Sequence, residues 1–128
     1  MTSTKPYLLR AFYDWIVDNH FTPYIAVNAD FPGTLVPRQY VEGGKITLNI
    51  SAAAVRNLVL NNETVHFSAR FSGVLSQVII PMKAVLAIYA RENGGGMVFG
   101  EEENNGKDDK GGNPPPDKGG KPKLTIVK

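Results

Sequence analysis

The chain has 128 residues, is 42% hydrophobic and 20% charged, carries a formal net charge of +2 and contains no cysteine. That size and balance fit one folded domain with a modest core, and the missing cysteines exclude disulfides, thiol nucleophiles and thiolate metal sites. No apolar run approaches the roughly 18 residues of a membrane span, and charges interrupt the secretory-type apolar core that "MTSTKPYLLRAFYDW" would need; a cytoplasmic, non-membrane protein is expected.

Pro6, preceded by Ser3 and Thr4, opens a helix predicted over Tyr7–Asn19. Its polar residues Arg10, Asp14 and Asp18 recur at i, i+4 and i+8, so they form one narrow stripe, and nearly everything else is apolar. A helix packed on one side needs an apolar arc of about 100° or somewhat more, and this one is wider. Two readings stay open: a small core wraps the helix, or one face packs on its own domain and another on a second copy, with Leu8, Phe12, Trp15 and Ile16 at the contact.

After Thr22-Pro23 the apolar period changes to two. Strands are predicted at Tyr24–Asn28, Leu35–Val41, Lys45–Ser51, Asn57–Leu60, Thr64–Ser72 and Val74–Ile80, with turns at Gly43-Gly44, Asn61-Asn62 and Ser72-Gly73. In "PMKAVLAIYARENGGGMVFG" a short helical turn follows Pro81 and precedes a hairpin with arms Leu86–Arg91 and Met97–Phe99. Six or seven short strands in hairpin order point to a mainly β fold, a small curled sheet or barrel.

From Glu101 to Lys123 the composition shifts to Gly, Pro, Asn, Lys, Asp and Glu, which cannot bury enough apolar area to offset its ordering entropy. A disordered tether of roughly 25–30 Å as a coil is expected there. It ends on "KPKLTIVK", whose Leu124, Ile126 and Val127 are out of keeping with a solvated tail.

Little in the chain suggests catalysis. His20 and His66 are far apart and lack the carboxylate pattern of a metal cage or a base and nucleophile pair. His20 falls at the end of the predicted helix, where a capping role is expected, and His66 reads as a half-exposed strand residue. "ENGGGMVFG" lacks the spacing of a phosphate loop, and no Gly-x-Ser-x-Gly elbow is present. The chain reads as a non-enzyme without cofactor or metal. In "ETVHFSARFSGVLSQVIIP", however, Val65, Phe67, Ala69 and Phe71 share one strand face. A small residue between two aromatics either leaves a slot for an incoming peptide or relieves crowding in a curved core.

Taken together, "RAFYDWIVDN", "FTPY", "LNIS", "ARFSG" and "LAIYAREN" resemble the SspB family, adaptors of the bacterial ClpXP protease. The similarity runs from about Pro6 to Phe99 and resumes at Leu124–Lys128. It implies a Sm-like or SH3-like barrel with an N-terminal helix through which two subunits dimerise. It also implies delivery rather than catalysis: the domain binds the ssrA tag that tmRNA adds to stalled chains and brings tagged proteins to the ClpX unfoldase. Residues 1–100 are then the binding and dimerisation domain, 101–123 a linker and 124–128 a docking motif for the N-terminal zinc-binding domain of ClpX. The tag groove would involve Ala69, with Phe67, Phe71, Asn49, Gln77 and Met82 around it. Docking would fall to Leu124, Ile126, Val127 and Lys128, with Thr125 where the family's usual Leu-Arg-Val-Val-Lys has arginine.

A Sm-like RNA-binding module is the alternative. RNA binding needs a concentrated basic face with stacking aromatics. Residues 1–100 carry eight Lys and Arg against six Asp and Glu, and those eight are scattered; residues 101–128 carry six against six. No direct nucleic-acid partner is expected.

Overall fold

Pro6 lies in the first turn of α1, Lys5–Asp18, where its missing N–H costs nothing. The computed structural model describes residues 3–99; the expectations for the linker and for Leu124, Ile126, Val127 and Lys128 lie outside the described residues. Leu9 and Ile16, two turns apart, are fully buried, whereas Tyr7, Trp15 and Val17 are 53%, 44% and 40% exposed. Among the described residues, the helix is therefore covered on one side only.

Beyond Asn19 the helix closes through two backbone bonds. The His20 N–H donates to Val17 O at 2.9 Å and the Phe21 N–H to Ile16 O at 3.0 Å. This pairing is a Schellman motif, which needs left-handed backbone at its hinge, and His20 supplies it with φ 64°. A β-carbon is disfavoured there. The replacement His20→Gly is expected to raise stability by about 0.5–1 kcal/mol, read as a higher urea midpoint at unchanged slope.

Seven antiparallel strands follow among the described residues: β1 Pro23–Asn28, β2 Lys45–Asn49, β3 Val55–Leu60, β4 Thr64–Phe71, β5 Val74–Pro81, β6 Val85–Ala90 and β7 Gly96–Val98. They form one sheet in the order β2-β1-β6-β7 and another in the order β3-β4-β5. Alternation places Ile25 and Val27 of β1, Val65 and Phe67 of β4, Val78 and Ile80 of β5 and Ile88 of β6 in one shared core, all at 1% exposure or less. The fold is mainly β with one N-terminal helix, as the periodicity predicts. No helix among the described residues is long and apolar enough to cross a membrane.

The expected strand Leu35–Val41 does not form. Leu35 makes a single bridge to Ile79, exchanging bonds of 2.7 and 3.0 Å, and Arg38–Tyr40 is a 3-10 turn. The cause is Pro37, which has no N–H for a ladder and fixes the chain where pairing would continue. The other turns follow their chemistry: Ser72 and Gly73, both at positive φ, make the tight reversal between β4 and β5.

Near the C-terminal end of α1, the Glu92 carboxylate accepts from the Thr22 N–H at 2.8 Å and from its hydroxyl at 2.7 Å. These bonds, the backbone one first, hold the Glu92 carboxyl below its usual range. Their contribution is present above the unfolded-state value and lost as pH falls through the folded one.

Candidate functional site

The site grows from an irregularity in the β3–β4 ladder. Val55 pairs with Ala69 and Arg56 with Ser68, but the next pairs are Val59 with His66 and Leu60 with Val65, so β3 carries one extra residue. Such bulges bend a strand and re-aim its side chains. Asn57 sits within it at φ 59°, a conformation that asparagine tolerates better than most residues.

A cavity of about 440 Å³ opens beside the bulge, lined by Ala53, Ala54, Arg56, Asn57, Ser68, Ala69 and Arg70, among others. The alanines leave the room; the guanidinium groups and the Asn57 amide bring hydrogen-bond donors. Among the described residues no Asp or Glu lines it. Guanidinium and amide groups suit anions and peptide groups, and among the described residues no three His, Asp or Glu side chains gather to hold a metal.

Ala69 lines this cavity, although its side chain shares the inward face of β4 with Val65 and Phe67 and is 7% exposed. Phe67 is a core residue at 1% exposure, and Phe71, half-buried at the strand end, packs on Tyr40 with ring centroids 5.7 Å apart. Gln77 lies on the outward face opposite Ser68, whose hydroxyl donates to its Oε1 at 3.0 Å. Asn49 ends β2 in the other sheet, where its Oδ1 accepts the Ser51 N–H at 2.9 Å. Met82 is buried just past β5, its N–H bonded to Glu63 O at 2.8 Å, at the far end of the β4–β5 hairpin from Ala69. Of the six groove residues named from sequence, only Ala69 lines the cavity.

Arg56, Asn57 and Arg70 were missed by sequence reasoning. The run of small residues "SAAAV" carried a signal for open space, but the register that brings Arg56 opposite Ser68 is a long-range property.

The four helix residues also separate. Ile16 belongs to the chain's own core at 1% exposure. Leu8 and Phe12 are half-buried, and Trp15 is exposed, meeting Phe12 edge to face at 5.6 Å. Arg10, part of the predicted polar stripe, anchors α1 to the β3–β4 turn by donating to Leu60 O and Asn62 Oδ1, both at 3.0 Å.

Fold and site together define a small antiparallel β domain with one half-covered helix and a cation-lined cavity at a strand bulge. The chain belongs to the SspB family, whose model, described as Stringent starvation protein B, matches residues 3–128. It is 58% identical over 95 residues to the stringent starvation protein B homolog of Haemophilus influenzae. That alignment covers 74% of this chain and 63% of the relative, so the chain spans somewhat under two thirds of the curated protein it matches.

Proposed function

We propose that the chain is a proteolysis adaptor that binds the ssrA degradation tag and tethers tagged proteins to ClpX for degradation by ClpXP. Membership of the SspB family carries this reading. The cavity at Ala69 supports it, because a peptide needs an open surface with donors for its carbonyls and carboxylates. The exposed helix side with Tyr7 and Trp15 supports a homodimer, each subunit covering the other's apolar surface.

In this reading residues 101–123 are a tether and Leu124–Lys128 the docking motif for the zinc-binding domain of ClpX. A weak motif on a tether of that length gives an effective concentration in the millimolar range, and a dimer supplies two. The protein performs no chemistry itself and needs no cofactor; it works in the cytoplasm of a bacterium.

Titration of the labelled peptide AANDENYALAA into the full chain tests the tag reading, with a scrambled peptide of the same composition as control. Saturable binding of the ordered peptide alone is expected. Equal binding of the two, or none, would sink it.

A further inference from the structure

Two exposed arginines line one cavity with no carboxylate among its described lining residues, which makes it a cationic surface. Arg56 stands opposite Ser68 across the β3–β4 ladder and so shares its outward face, and Arg70 is two residues further along that face. The two are diagonal neighbours, roughly 7–8 Å apart at the backbone. Both are exposed, both line the cavity, and neither forms an ion pair among the described residues, where the pairs are Arg38 with Asp30 and Arg91 with Glu92. Arg70 makes one long bond to Gly73 O at 3.4 Å. Most of the ten N–H donors of the pair are therefore free to serve a ligand.

The surroundings narrow the ligand further. Leu75, opposite Arg70 and 61% exposed, adds an apolar wall, and Ala53 and Ala54 leave the room. The strand β3 is the edge of its sheet, so its outer backbone groups have no ladder partner in that sheet. Free guanidinium groups beside an apolar wall and an open strand edge fit an extended peptide carrying a carboxylate next to an apolar residue.

We propose that Arg56 and Arg70 make this cavity selective for acidic peptide segments, with Arg56 as the specificity-determining residue. The inference rests on the reading of the chain as a peptide-binding adaptor and adds the charge class of the segment bound. Like charge on the two forks disfavours cationic peptides, and a carboxylate bridging them relieves their mutual repulsion.

Fluorescence anisotropy on the full chain tests it with two probes, AANDENYALAA and its neutral isostere AANNQNYALAA. Wild type is expected to bind the acidic probe about tenfold more tightly, a preference that shrinks as salt rises. Arg56→Gln is expected to weaken the acidic probe several-fold more than the neutral one and so to remove most of that preference. Because Arg56 is exposed on the outward face, the variant should unfold at the wild-type urea midpoint, which separates lost recognition from lost structure.

The proposal is overturned if wild type binds both probes equally, or if Arg56→Gln weakens both by the same factor. Displacement of the acidic probe by a single-stranded oligonucleotide at equal concentration would also overturn it, marking a site for polyanions. A composition-matched scramble keeps the two readings apart. If it binds as tightly as the ordered acidic probe, the tag reading falls and the charge selectivity stands; if no peptide binds, both fall.

Discussion

Deleting Leu124–Lys128 is expected to abolish stimulated degradation of ssrA-tagged protein by ClpXP while leaving folding, dimerisation and tag affinity unchanged. The separation follows from the proposed organisation: if residues 101–123 are the tether their Gly, Pro and charged composition suits, they would transmit no packing from one end to the other. Val127→Asp should do nearly as much, since it would put an unpaired carboxylate in place of an apolar side chain at the proposed docking contact. Both variants are read by the loss of a tagged fluorescent reporter in the presence of the protease, beside peptide anisotropy for tag affinity. A tailless chain that delivers as well as the intact one would remove the tether from the mechanism and leave the apolar ending without a role.

The second large effect is on the fold. Gly96→Ala is expected to destabilise the domain by about 3 kcal/mol, a large share of the total for a domain of this size. A β-carbon at position 96 would run into Ile88 O and would meet Tyr89 Cα at 2.6 Å, and both neighbours are backbone, which cannot swing aside. Opening that approach would loosen β7, whose Met97 belongs to the core and against which α1 packs. Urea unfolding checks it; a loss below about 1 kcal/mol would mean that β7 shifts at little cost.

What was legible in the sequence, and what was not, divides along the range of the interactions involved. The helix and most strands are local matters: an apolar repeat near 3.6 in "PYLLRAFYDWIVD", an alternation of two in "TVHFSARF", and turns announced by Ser72-Gly73 and Asn61-Asn62. The exception, Leu35–Val41, was lost to a single proline in an otherwise strand-like run. The likeness of "ARFSG" and "LAIYAREN" to the SspB family agreed with the family match over residues 3–128.

Local pattern alone thus specifies a mainly β domain after one over-apolar helix, with Ala69 between Phe67 and Phe71 on one strand face. Tertiary structure alone decided which helix side is left open, because periodicity defines a stripe but not its orientation: Leu9 and Ile16 went inward, Tyr7 and Trp15 outward. It also decided the site. Thirteen positions separate Arg56 from Ala69 and fourteen from Arg70 in the chain, and only the bulged β3–β4 register, set by core packing of Val55, Val65 and Phe67, places both arginines at one cavity. A one-residue slip in that register would turn Arg56 to the opposite face, since strand side chains alternate, and no local signal in the sequence forbids it.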